Sequence, residues 1–250
     1  MWQQFTQSIY QWASLKNFYQ RSSSIVCFLT VCSIIFIVLG IFDGLFLAPT
    51  DYQQGDAFRI IYVHVPASFM SLAIYSFMSV LALIVIIWRI KLAEILLKAS
   101  VSVGLWMTFL ALATGSLWGK PMWGTAWIWD ARLTSELILF FIYFAILAVT
   151  GAVRDATTAS RAAAIIVLLG AIDIPIVHYS VNWWNTLHQG STIIQLSKPT
   201  MDTQMLYPLL MMIAGFMAYT IALILYRART EILWREKKTQ WVIKLLKGTQ

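Results

Sequence analysis

Charge is what this sequence has least of: Asp, Glu, Lys and Arg make up 12% of 250 residues, against 60% hydrophobic residues and a mean hydropathy of +0.73. A soluble domain carries about 25% charged residues. The shortfall excludes a water-exposed surface and leaves most of the exterior to lipid. The net charge of +7 does not point to nucleic acid, because the basic residues sit at the ends of apolar runs, as topology determinants do. Cysteine is nearly absent too. Cys27 and Cys32, in one apolar run, point in different directions on a helix and form no local disulfide; they read as small buried hydrophobes. Without Cys-x-x-Cys-His, the chain is not itself a c-type cytochrome. The first 24 residues are polar and aromatic, and the apolar run after them is too long for a signal peptide and lacks a small-x-small cleavage site. It reads as an uncleaved first span.

What is there is apolar length. Six segments reach the ~20 residues that cross a bilayer, over 25–47, 60–88, 99–117, 133–153, 162–181 and 205–226. They predict an all-α fold, one integral-membrane domain over 1–250 built as a bundle of six transmembrane helices. Lys16, Arg21, Arg89, Lys91, Lys98, Arg154, Arg161 and the seven basic residues of the carboxyl-terminal tail fall on one side, fourteen of the 18. Arg59, Lys120, Arg132 and Lys198 fall on the other. The positive-inside rule then predicts both termini cytoplasmic and three outer loops, at 48–59, 118–132 and 182–204. The tail, 227–250, reads as a basic amphipathic helix drawn to anionic lipid or a cytoplasmic partner.

The second outer loop holds Trp118, Trp123, Trp127 and Trp129 within twelve residues. Interfacial anchoring accounts for one or two rings per helix end, as for Trp88 and Trp234, and poorly for this cluster. A row of indoles beside a membrane makes a flat apolar platform for a large planar amphipathic ligand, since stacking adds to area burial. Gly119 and Gly124 allow close approach and turning, and Pro121 stiffens the loop. Arg132, with Lys120, can meet carboxylates at the ligand's edge. Asp130 caps the fourth helix or orients the platform, and Glu136 is spaced to pair with Arg132. Asp173 is the one acid deep in a span, where ionisable residues turn inward to a partner or a polar path.

The run Trp123-Gly-Thr-Ala-Trp127-Ile-Trp129-Asp130-Ala-Arg132-Leu-Thr134 resembles the signature of the WWD family of haem-handling proteins. Tyr62-Val-His64-Val-Pro66-Ala67 and Trp183-Trp184-Asn185-Thr186-Leu187-His188-Gln189-Gly190 resemble the flanking histidine segments of its short, six-span branch in bacterial cytochrome c maturation. The resemblance covers nearly the whole chain, and the larger outer domains of longer relatives are missing. It implies a multi-pass protein of the bacterial inner membrane with its site facing the periplasm. It also implies transiently bound b-type haem, handed to a periplasmic haem chaperone beside a small single-span subunit and the ATPase and membrane subunits of an ABC transporter. No turnover of its own is implied, although a share in forming the chaperone–haem bond is.

The histidines agree. His64 and His188 fall on the outer side around the Trp loop, and neutral imidazole is a common axial ligand of haem iron. The expected site is therefore His64 and His188 as iron ligands, with Trp118, Trp123, Trp127, Trp129, Asp130 and Arg132 around them. Arg59 is either a second holder of haem carboxylates or an interface anchor. His178, inside the fifth span, reads as a structural hydrogen-bonding residue. Two other functions compete: an electron-transfer membrane cytochrome, which needs histidine pairs at facing depths, and a small-molecule transporter, which needs polar residues lining its spans.

Overall fold

The computed structural model describes residues 14–188 and 201–248. Helix α1, Leu15–Phe42, runs into a π turn at Asp43–Leu47 and stops at Ala48, which is extended because Pro49 follows it. A turn closed by Asp51, whose Oδ1 accepts from the backbone N–H groups of Gln53 and Gln54 at 2.9 and 2.8 Å, leads to a 3₁₀ turn at Asp56–Ile60 and then α2, Ile61–Trp88. Helix α3 spans Lys91–Trp123, α4 Ala131–Ala152, α5 Ala156–Gly170, α6 Asp173–Trp183, α7 Thr203–Arg235 and α8 Gln240–Leu246. Asp130, Asp155 and Asp202 open α4, α5 and α7 by accepting a backbone N–H from the first turn, as helix-capping acids do.

Six helical spans are long and apolar enough to cross a membrane, the fifth made of α5 and α6 in series. The all-α, six-span architecture expected from the sequence is the architecture found. Helices α2 and α3 form the centre, with α4, α5 and α7 against them, while α1 packs along α7. The outward surface is apolar, as at Phe28, Val38, Phe141 and Leu169, which is what lipid requires. Inside, Tyr62, Tyr75 and Tyr143 are buried, and each hydroxyl donates to a main-chain carbonyl, of Met205, Val167 and Ser71 respectively. Without water in the bilayer, such partners are required.

Several boundaries differ from the sequence reading, beginning with a first span that starts at Leu15 rather than 25 and a third that starts at Lys91 rather than 99. The third span does not end at 117 but continues helically through Trp123, so Trp118–Trp123 belong to a helix and the loop shortens to 124–130. Pro121 lies in that last turn, and Gly124, at φ +78°, supplies the left-handed residue that ends it. The fifth span breaks at Ala171–Ile172, one residue before the buried Asp173. The sixth continues to Arg235, so the amphipathic tail helix is only Gln240–Leu246.

Charged partners explain the last extension. Arg235 donates to Glu94 Oε2 at 3.0 Å and to Glu231 Oε1 at 2.8 Å, and Lys98 reaches Glu231 at 2.9 Å. Arg229 donates to the Tyr19 carbonyl and stacks over its ring, and Tyr19 in turn meets Trp241 of α8. Charges that ended a hydropathy window are thus internal to the bundle. They cluster at the end opposite His64, Trp118 and Arg132.

Candidate functional site

At the other end, α2, α3, α4 and the segment after α6 line a cleft. His64 and Ser68 come from α2. Helix α3 gives Ala111, Leu112, Gly115, Trp118 and Trp123, and α4 gives Arg132, Leu133 and Glu136; His188 completes the wall. The sequence separated these residues by up to 124 positions; helix direction brings them together, because α2 starts, α3 ends and α4 starts at this face.

His64 is held firmly. Its Nδ1 lies 3.0 Å from the Ala111 carbonyl oxygen and 3.1 Å from Thr114 Oγ1. A carbonyl only accepts, so Nδ1 carries the proton and Nε2 keeps a lone pair suited to a metal. Gly115 permits this approach, since a Cβ there would stand 3.0 Å from His64 Cε1. The His188 ring faces it, 6.1 Å away between centroids at 35°.

His188 is positioned by a short relay. Asp130 Oδ1 accepts the Leu133 N–H at 2.8 Å as the cap of α4, and Oδ2 accepts the Thr186 hydroxyl. Thr186 Oγ1 then accepts the His188 N–H at 3.0 Å. Asp130 therefore caps α4, one of the two roles read for it, and what it orients is Thr186 and His188 rather than the tryptophans. Asp130→Ala should lower stability by about 1 kcal/mol through the lost cap, whereas Asp130→Asn should retain most of it. Thermal unfolding in detergent measures both, and equal losses would show that capping is not what the carboxylate contributes.

The tryptophans do not form one row. Trp118 and Trp123 meet edge-on, 5.0 Å between centroids, and stand 5.9 and 6.2 Å from the His188 ring. Trp118 is buried, and its Nε1 donates to Gln54 Oε1 at 2.9 Å, tying the first loop to the cleft. Trp127 and Trp129 pair edge-on at 5.4 Å but line no part of the cleft; Trp129 is 77% exposed. Helical continuation through Trp123 causes the split, turning the first two rings inward and leaving the others beyond Gly124.

Arg132 lines the cleft, with Nη1 3.4 Å from the Val177 carbonyl. A cation in the first turn opposes the helix dipole, and the charges of Glu136 and Asp130 offset that cost. The expected partner Glu136 does not pair with it among the described residues; it accepts from Ser71 Oγ at 2.8 Å instead. Arg59 is not in the cleft. It donates to Asp56 at 2.9 Å and to the Gly44 carbonyl at 2.7 Å, joining the π turn to the 3₁₀ turn as a local brace. Lys120 does not line it either. His178 is exposed on α6, edge-on to Tyr179 at 4.6 Å, and no hydrogen bond to it is found among the described residues, contrary to its structural reading. Gln189, Gly190, Lys198 and most of the third outer loop lie outside the described residues.

Reasoning from sequence missed Gln54, Ser68, Thr114 and Gly115, and read Glu136 only as a partner of Arg132. Only Thr186 carried a signal, a hydroxyl residue two positions before His188, where it suits a local turn.

The heme exporter protein C family model matches residues 8–243. Heme exporter protein C of Escherichia coli K12 is 46% identical over 239 residues, covering 96% of each chain. The Haemophilus influenzae protein of that name is 46% identical over 222 residues, 89% of each chain. That of Paracoccus denitrificans is 39% identical over 226 residues, 90% of this chain and 93% of its own. With the six-span bundle and the histidine-bearing cleft, these matches show that the chain belongs to the heme exporter protein C family.

Proposed function

We propose that the cleft holds haem at the outer face of the inner membrane and presents it to a periplasmic haem chaperone during c-type cytochrome maturation. The observation that carries this is the facing of His64 and His188 across a cleft also lined by Trp118, Trp123 and Arg132. Two imidazoles on opposite sides of one metal, each nitrogen about 2 Å from it, have centroids about 6 Å apart. The pair at 6.1 Å has that spacing. His64 and His188 would hold the iron, Trp118 and Trp123 would pack against the macrocycle, and Arg132 would take a propionate. Trp127 and Trp129 stand beyond the cleft, where the exposed Trp129 ring can meet an incoming chaperone.

The chain binds and orients its cargo without turnover of its own. Haem is b-type and transient here, consistent with the absence of any Cys-x-x-Cys-His for covalent attachment. The family resemblance supports assembly with a single-span subunit and the membrane and ATPase subunits of an ABC transporter. An electron-transfer cytochrome is less well supported. Of the three histidines of the sequence, His64 and His188 face one another, and His178 is exposed on α6.

Two measurements test the reading. Tags after residue 248 should report the cytoplasm and a tag within 190–200 the periplasm, since the basic end of the bundle lies opposite the cleft; the reverse would put the site on the wrong side. Purification with co-expressed periplasmic haem chaperone should trap a ternary complex with a haem absorbance spectrum. A chaperone that co-purifies equally without haem would sink the presenting role.

A further inference from the structure

One feature lies outside the cleft and is not required by it. Trp106 sits near the middle of α3, 64% exposed on the lipid-facing surface. Tryptophan favours the two membrane interfaces, and a lipid-exposed indole at mid-span needs another reason. Trp106 meets Phe109 at 5.6 Å between centroids, Phe109 meets Phe140 across the α3–α4 boundary at 6.1 Å, and Phe140 meets Phe144 at 5.0 Å. The rings make a continuous seam between two helices.

The seam is an extension of the cleft wall. Phe109 lies three residues below Leu112 on α3, about 4.5 Å of rise toward the membrane centre, and Phe140 lies one heptad below Leu133 on α4. Both leucines line the cleft. Helical spacing therefore carries each wall downward from cleft to seam. A partner's transmembrane helix is a poor occupant, because close helix packing in lipid uses small residues and this surface is built from large rings. A planar aromatic ligand suits it better, since rings offer offset and edge contacts to another ring.

We propose that the Trp106–Phe109–Phe140–Phe144 seam is a lateral gate through which haem passes between the bilayer and the cleft; this rests on the haem reading above. The ligand moves with its apolar edge along the rings and its carboxylates toward the site end, where Arg132 lies two turns above Phe140 on α4. The way in runs between α3 and α4 where Phe109 and Phe140 meet.

The test seals the seam reversibly. In a Cys27→Ala/Cys32→Ala background, both positions being on the remote helix α1, Phe109→Cys and Phe140→Cys are joined by a short bis-methanethiosulfonate linker and released by a thiol reductant. The protein is reconstituted in phosphatidylcholine–phosphatidylglycerol vesicles preloaded with haem, and growth of the Soret band is followed. Sealing should slow loading by about tenfold or more, equivalent to a barrier raised by ~1.4 kcal/mol, and release should restore the open rate. Final haem content should be the same sealed or open. Sealed and released samples share one polypeptide, so misfolding cancels. Loading at the open rate while sealed overturns the gate but leaves the cleft intact. Open protein that takes up no haem, or no more than its His188→Ala variant, overturns the cleft reading and the gate with it.

Discussion

His64→Ala and His188→Ala should each weaken haem binding by on the order of 100-fold, since even groups that only orient a metal ligand are worth 10–100-fold. The two imidazoles face one another and share the cleft with Trp118 and Trp123. His178→Ala should change neither haem content nor spectrum, because that ring is exposed on α6. Added imidazole should restore part of the spectrum in the two ligand variants by entering the vacated position, and it would not repair a folding defect. The variants should also differ from each other. His64 is fixed to α3 through Nδ1, whereas His188 hangs on the Thr186–Asp130 relay, so losing the relay should loosen one ligand only. If both variants keep the wild-type spectrum while His178→Ala loses it, iron is held elsewhere.

Arg235→Leu should cost about 3–5 kcal/mol, the range for removing one partner of a buried ion pair. The Arg235 and Glu94 side chains are 13% and 4% exposed, and Glu231 is 14% exposed. Removing the guanidinium leaves Glu94 without its cation, and Glu231 with Lys98 alone, in a place that water reaches poorly. Arg235→Leu combined with Glu94→Leu should recover much of the loss, because the uncompensated charge goes with its partner. Unfolding in detergent followed by tryptophan fluorescence measures both. Haem affinity of the folded fraction should not move, since the network and the cleft occupy opposite ends of the bundle. A cost below ~1 kcal/mol, the level of an exposed pair, would mean that the network is solvated.

The fold was legible because lipid imposes a single demand, apolar length, and the sequence meets it six times. Its errors came from charges with internal partners. Lys98 lay just outside the third span as read and Arg235 in the tail, yet each is paired with Glu231 and each lies within its helix, Lys91–Trp123 and Thr203–Arg235. The site was legible in its chemistry but not in its geometry. His64, His188 and Arg132 were read from sequence as near neighbours and do line one cleft, while the inward turn of Trp118 depended on whether α3 stopped before or after Pro121, which spacing does not decide. Arg59 lies outside the cleft for a related reason. Besides Asp56, its partner is the Gly44 carbonyl on the π turn, and no residue type announces such an acceptor. Glu136 sat at the spacing that favours a pair with Arg132, but Ser71, from another helix, won the carboxylate.

Helix α1 leans along α7 and meets little else of the bundle. The chain is made from the amino terminus, so its first span enters the bilayer with its eventual neighbour still unsynthesised. Ser22 and Ser33, buried in the finished protein, must wait among acyl chains until the sixth span arrives. Each hydroxyl donates to a carbonyl of its own helix, Tyr19 and Thr30, so the waiting helix carries no orphaned side-chain donor there. Assembly then closes like a clasp, with the last span fastening the first. A ribosome stalled before residue 203 should leave α1 adrift and open to proteolysis or foreign helices, although every span around the cleft is already made.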